Sequence, residues 1–454
     1  MKNLFACFLL LACMAAAGAP NAPTPGPASN PGPVGWDSVP AILARIKAPT
    51  FPARDFPITQ FGAKGDGATD CTDAIAKAVA ACHAAGGGRV VVEDGTFLTG
   101  AIHLLGNVNL YVAEGATLRF SPDRAKYLPV VFTRFEGTEC MNYSPLIYAF
   151  EQENIAVTGK GVLDGSGEQA WWGMKAGGAG GGPKKLMDEA DRGVPVPDRV
   201  FGENGGLRPN FIQPCRCRNV LIEDVRITNS PMWEIHPLLS TNVTVRGVRI
   251  ASHGPNNDGC DPECSRDVLI ENCLFDTGDD CIAIKSGKNA DGRRVNVPSE
   301  NIIVRHCVMK DGHGGVVVGS EVSGSVRNVF AEDCQMDSPR LNCALRLKSN
   351  AERGGVIENV FMRNVRVGAV RDQALTIDLV YGRVASGPFA PVVRNVWLQN
   401  LTALDCPRVL SAIGAANSTI EGVHLEDCAF HGVRFDDILT NAGSISTNRV
   451  IIDN

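Results

Sequence analysis

Three carboxylates, one imidazole and two fixed cations are spread between Asn256 and Lys348. They occur as Asn256-Asn257-Asp258, Gly278-Asp279-Asp280, Gly312-His313-Gly314 and Arg346-Leu347-Lys348. Each group sits where a hydrophobic run breaks into Gly and polar residues. Three carboxylates brought together cannot all ionise easily, because like charges raise one another's pKa. A protonated acid beside ionised ones is the pairing that cleavage of an acetal requires. One acid protonates the departing oxygen, and a second carboxylate activates water or attacks directly. Arg346 and Lys348, two apart on a strand, point to the same face. They could hold a sugar carboxylate, Arg through its planar fork and Lys as a point charge. Taken singly these residues say less. Asp and Asn are common at turns for structural reasons, and a lone His is ordinary surface. An Asp-Asp pair could bind Ca²⁺, but no further ring of oxygen ligands at regular spacing follows. The argument therefore rests on whether the chain brings the four groups together.

A repeat supplies the means. Asn219-Val-Leu-Ile-Glu-Asp-Val-Arg-Ile227 is followed by similar segments starting at Asn242, Asp267, Asn301, Asn328, Asn359, Asn395 and Gly422. The first starts are 23 and 25 residues apart, and loops lengthen the later gaps. Each unit predicts two short strands with inward apolar residues, split by a polar corner. A period in the twenties built of strands fits an all-β parallel β-helix, and the crossover rule makes it right-handed. The Leu pattern of a leucine-rich repeat is absent. Stacked rungs lie ~4.8 Å apart. Asp258 and Asp279 are 21 residues apart, close to one rung. The three carboxylates should therefore meet at one surface, with His313 one rung further on.

The rest of the chain frames that solenoid. At 454 residues the length would suggest about three ordinary domains, but a solenoid grows by adding rungs. The net charge of −6 shows no nucleic-acid footprint. Residues 1–19 read as an export signal: Lys2, an apolar run Leu4 to Leu11, then small residues. Leu10-Leu11-Ala12-Cys13 also resembles a lipid-acceptor site, so the protein is expected to be periplasmic, secreted or anchored through Cys13. No later segment approaches ~20 uninterrupted apolar residues. Residues 20–55, rich in Pro, Gly and Ala, predict a linker or an arm, and 56–454 the catalytic domain. Asp73 to Ala84 predicts a short amphipathic helix capping the open end of the strand stack. Between Gly165 and Asn210 the pattern fails, which predicts a long irregular insertion. Trp171 and Trp172 at its start could stack on sugar, but burial is the expected role. Of 16 Cys, those at 273, 307, 334 and 428 share one slot of the repeat. They predict stacked buried thiols acting as small apolar residues. Cys215/Cys217 and Cys260/Cys264 could pair locally.

The four motifs resemble those of glycoside hydrolase family 28, the polygalacturonase type, whose pattern is Asn-Thr-Asp, Asp-Asp, Gly-His-Gly and Arg-Ile-Lys. Asn257 replaces Thr and Leu347 replaces Ile; neither changes a charged group. The resemblance runs from about Phe56 to the C-terminus. It implies a right-handed parallel β-helix and metal-free, cofactor-free, inverting hydrolysis of α-1,4-linked galacturonate in a pectic substrate by a monomer. It implies that Asp279 is the general acid, that Asp258 and Asp280 hold and deprotonate water, and that His313 supports the acid. Arg346, Lys348, Asn256 and Tyr381 would bind galacturonate. The 165–210 insertion resembles loops that close the groove in chain-end-acting relatives, which implies exo-action. Rhamnogalacturonan hydrolysis, Ca²⁺-dependent pectate lysis and non-catalytic carbohydrate binding on the same scaffold are the competing readings.

Overall fold

Among the described residues every strand ladder is parallel except one hairpin, Val131–Phe135 with Thr138–Asn142. The computed structural model describes residues 34–176 and 181–454. The leader, Cys7, Cys13, most of the Pro-rich stretch and Gly177 to Gly180 lie outside the described residues. The chain winds into a right-handed parallel β-helix. One coil runs Arg266–Glu271, Leu274–Thr277 and Ile282–Ile284. The next runs Ser299–Arg305, Val308–Met309 and Val316–Val318, and a third Val326–Glu332, Gln335–Met336 and Cys343–Lys348. The repeat predicted two strands per coil. The structure adds a third, and that third face carries the chemistry.

Register is kept from coil to coil between Val268 and Val423. Val268, Ile302, Val329, Val360, Val396 and Val423 pair in sequence from coil to coil. Each is buried in one continuous apolar core, and a slip of one residue would turn every such side chain outward. The first residue of each repeat explains the corner. Asn107, Asn154, Asn219, Asn242, Asp267, Asn301, Asn328, Asn359 and Asn395 all have φ between 55° and 64°. Asn tolerates that left-handed conformation better than most residues. Side-chain amides then bond coil to coil: Asn301 Nδ2 donates to Asp267 Oδ1 at 3.1 Å, Asn328 to Asn301 at 3.0 Å, Asn359 to Asn328 at 3.0 Å and Asn395 to Asn359 at 2.7 Å.

The ladder breaks once, where Asp267 has no amide to give to Asn242. The N-terminal arm fills the gap. The Lys47 backbone N–H donates to Asn242 Oδ1 at 2.7 Å, and Asn242 Nδ2 donates back to the Lys47 carbonyl at 2.9 Å. Arg45 binds Asp267 at 2.7 Å. A seven-residue helix, Val39–Arg45, buries Val39 and Ile42 beside these contacts, and Arg363 lies 3.8 Å over the Trp36 ring. The helix Thr72–Ala84 caps the start of the stack, burying Ala74, Ile75, Ala78, Val79 and Cys82.

The 165–210 insertion differs from its expectation. It contains the helices Gly167–Ala170, Trp172–Ala176 and Gly182–Asp191. The last has Pro183 in its first turn, buries Leu186 and Ala190, and carries Lys184–Asp188 and Lys185–Glu189 pairs at i,i+4. Neighbouring glycines hid that short period. Trp171 is fully buried between Tyr127 and Tyr143, and the Trp172 indole donates to the Ser230 carbonyl at 2.8 Å. All fourteen described Cys are free and buried, including the 215/217 and 260/264 pairs.

Asn328 links two neighbours through its amide and holds a positive φ, so Asn328→Ala should lower unfolding free energy by about 2–4 kcal/mol. Asn328→Gly should recover about 1 kcal/mol of that, because Gly accepts the conformation. Urea unfolding of the three proteins measures both values.

Candidate active site

Backbone hydrogen bonds between coils set the site. Asp279 N–H donates to the Asn257 carbonyl at 3.3 Å, and His313 N–H donates to the Asp279 carbonyl at 3.0 Å. Asp258, Asp279 and His313 therefore stand at one corner of three successive coils. Close approach there needs glycine: a Cβ on Gly278 would lie 2.5 Å from the Gly254 carbonyl oxygen, and one on Gly312 2.7 Å from the Asp279 carbonyl oxygen. One oxygen from each of Asp258, Asp279 and Asp280 falls within 4.8 Å of the others. They line a cleft of about 190 Å³ with Asn256, Lys348 and Tyr381, and also with Glu136, Trp233, Lys285, Lys288, Glu321 and Arg353.

His313 Nδ1 lies 2.8 Å from Asp279 Oδ1. Burial pushes the Asp279 carboxyl up, but the hydrogen bond and charge of His313, with Lys348 and Lys285 behind them, bring it down to about 2. The same hydrogen bond raises His313 above its ordinary value against the effect of burial. The proton of the pair therefore rests on His313, with Asp279 ionised beside it at bonding distance. Asp258 behaves oppositely. Burial raises its carboxyl well above the usual range, and Asp261 and Asp279 add to the effect while Lys285 opposes it.

Two lysines supply the compensating charge. Lys348 Nζ donates to Asp280 Oδ2 at 2.7 Å. Lys285 Nζ lies 3.5 Å from Asp258 Oδ2, 3.6 Å from Asp261 Oδ2 and 3.4 Å from Glu321 Oε2, and 4.4 Å over the Trp233 ring. Burial works against charge on Lys285, but these carboxylates outweigh it and keep the ammonium charged. Three carboxylate oxygens so close could hold a divalent cation, yet both lysines already place positive charge on this cluster. A second trio, His253, Asp276 and Asp311, lies outside the cleft; His253 is paired with Asp276 at 2.9 Å and Asp311 contacts Arg340.

The remaining expected residues gather around the rim. Arg346 is half-buried; its Nη1 donates to the His313 carbonyl at 3.4 Å and its guanidinium lies 5.8 Å from the Tyr381 ring centre. Lys348 Nζ is 5.3 Å from the same ring. Asn256 Oδ1 accepts from Lys175 and, at 2.7 Å, from Arg208. Arg208 is buried, which pushes its guanidinium down to about 10. The cleft wall comes from the hairpin tip Glu136-Gly137, whose φ angles are 43° and 81°, as a two-residue turn of a twisted hairpin requires. Lys288 donates from its backbone to the Gly137 carbonyl at 3.0 Å and from Nζ to Glu136 Oε2 at 3.2 Å. Buried pairs fix this wall: Arg134 with Glu263 at 2.9 Å, and Arg199 with Asp291 at 2.7 Å. Glu136 and Asn256 also border an adjoining chamber of about 230 Å³ with Met174, Lys175, Pro183 and Arg208.

Sequence reasoning missed Lys285, Asp261, Glu321 and the hairpin. The alternation of Ile282-Ala283-Ile284-Lys285 would have placed Lys285 on the outer face. The Gly after Glu136, between two β-rich runs, was the signal for the hairpin.

Comparison with known proteins agrees with this geometry. A family model, glycosyl hydrolases family 28, matches residues 201–442. An exopolygalacturonase from Thermotoga maritima of known structure is 44% identical, with a TM-score of 0.88 over 92% of this chain and 96% of that one. The exo-poly-α-D-galacturonosidase of Dickeya chrysanthemi is 30% identical over 76% of this chain and 62% of its own length. A probable polygalacturonase from Vitis vinifera is 26% identical over 82% of this chain and 74% of its own. The protein belongs to glycosyl hydrolases family 28.

Proposed function

We propose that the protein hydrolyses α-1,4-galacturonosidic bonds of polygalacturonate, acting from the chain end. The observation that carries the reading is the Asp279–His313 pair beside Asp258 and Asp280 in one cleft. We assign Asp279 as the acid that protonates the leaving oxygen: it is ionised in the resting cleft, and the proton reaches it from His313 as the glycosidic oxygen approaches. Asp258 and Asp280 activate water. Each has one oxygen occupied by a lysine, and the other, Oδ1, is buried without a hydrogen-bond partner among the described residues. Arg346, with Tyr381 beneath it, and the remaining protons of Lys348 face the carboxylate of galacturonate. The organic step needs only these side chains.

Exo-action is supported by the wall that the hairpin and the insertion build beside the cleft, and by the names of two relatives above. Export is supported by the leader pattern of residues 1–19. Among the described residues no helix is long and apolar enough to cross a membrane. The resemblance implies inversion, whereas carboxylate oxygens within 4.8 Å are nearer the ~5 Å spacing of retaining pairs than the ~6.5–9.5 Å of inverting ones. We resolve this toward inversion, because two lysine-held carboxylates flanking one water make a base rather than a nucleophile.

Polygalacturonate digested with a chelator present should yield free galacturonate early; a ladder of mixed oligomers with little monomer or dimer would overturn exo-action. Proton NMR of the first-formed product should show the β anomer. Asp279→Asn should lower kcat by at least ~10²-fold, the lower range for removing a general acid. In that variant His313 loses the carboxylate that raises it. Its imidazole titration, followed by NMR, should fall.

A further inference from the structure

We propose that Lys285 is a positioning residue for the catalytic base: it fixes Oδ2 of Asp258, so that Oδ1 is the oxygen presented to water. The inference rests on the hydrolytic reading above. Nothing in the four motifs marks Lys285, and it does not reach the surface; its side chain is 4% exposed. It is held from several directions. Asp261 lies 3.6 Å and Glu321 3.4 Å from its Nζ, and the Trp233 ring packs 4.4 Å away.

Lys285 does for Asp258 what Lys348 does for Asp280, but from a position two coils before Lys348 and at 3.5 Å rather than 2.7 Å. In each case a buried ammonium takes Oδ2, and Oδ1 has no hydrogen-bond partner among the described residues. A carboxylate gripped at one oxygen cannot rotate, so its other oxygen keeps one direction. The two free oxygens belong to the carboxylates that must flank the attacking water. They are freed by lysines that come from different coils, Ile282–Ile284 and Cys343–Lys348.

Charge gives the same lysine a second consequence. Asp258 must be ionised to accept a proton, yet burial and its acidic neighbours disfavour ionisation. Lys285 opposes them. Glu321 acts the other way, since its carboxylate competes for the same ammonium. Lys288, Arg353 and Lys348 also face Glu321 and, with Lys285, hold it ionised. The pH at which Asp258 becomes a base therefore depends on how Lys285 is shared.

The test compares wild type, Lys285→Met and Glu321→Gln on polygalacturonate across pH, with thermal unfolding recorded for each. Lys285→Met should lower kcat by ~10²-fold or more with little change in KM. Its acidic limb should move up by ~1–3 units. Glu321→Gln should move that limb down. The same shifts should appear without substrate, as infrared difference titration of the Asp258 carboxyl against Asp258→Asn in each background. If Lys285→Met does not fold, the direction of the Glu321→Gln shift decides. An unmoved limb in folded Lys285→Met, a change confined to KM, or shifts of the same sign in both variants would overturn the proposal. Inactive wild type would instead remove the hydrolytic reading, while the infrared titration would still decide the role of Lys285.

Discussion

In-register hydrogen bonding between coils is the constraint on which the rest depends. It fixes the rise at ~4.8 Å per coil and allows no compromise when acids occupy equivalent corners. Asp258, Asp279 and Asp280 are crowded because the backbone of Asn257, Asp279 and His313 is hydrogen-bonded in series, and the core behind them resists any slip. Side chains of variable reach could relax such crowding; backbone ladders cannot. The acidic cluster is a strained charge distribution imposed by a stable scaffold, and the remaining groups of the cleft answer it.

The answer is divided. His313 takes one acid and holds a proton against it. Lys348 and Lys285 take one oxygen each from the other two. Ion pairs this deep repay their desolvation only when the geometry is good, and here they are enclosed by further charges: Asp261 and Glu321 around Lys285, Lys288 and Arg353 around Glu321. The result is a cleft in which carboxylates of one residue type are set apart by their surroundings, Asp258 pushed toward its protonated form and Asp279 toward its ionised one. The wall follows similar logic. Its hairpin is pinned by buried Arg134–Glu263 and Arg199–Asp291 pairs, which makes it a fixed boundary of the cleft.

Much of this was legible in the chain. The Asn-initiated repeats gave strand, corner and period, and the 21-residue spacing put Asp258 beside Asp279 before any coordinates. His313 followed from its place after the next repeat, which starts at Asn301. What stayed hidden did so for physical reasons. Asp261 sits in Gly259-Cys260-Asp261-Pro262-Glu263-Cys264, where no alternation marks a strand. Glu321 lies between Val316–Val318 and Val326–Glu332, outside the repeated motif. Lys285 ends a run so apolar that it reads as buried strand. The third face as a whole was missed because its strands are three to six residues long along the site coils. The helix Gly182–Asp191 was obscured by glycines before it, and the role of Asp267 was invisible because Asp and Asn look interchangeable at a corner until the amide proton is needed.

The asparagine ladder has a further bearing on how such a chain can change over generations. From Asn301 to Asn395 each coil is joined to the next by the same amide-to-amide link, so a duplicated coil there presents compatible ends to both neighbours. A duplication after Asn395 would lengthen the rod while leaving the cleft as it is. One inserted between Asn242 and Asn328 would separate partners that work only as adjacent tiers. The molecule is therefore modular along most of its length and indivisible over one short interval. Variation in coil number among descendants should accumulate outside that interval.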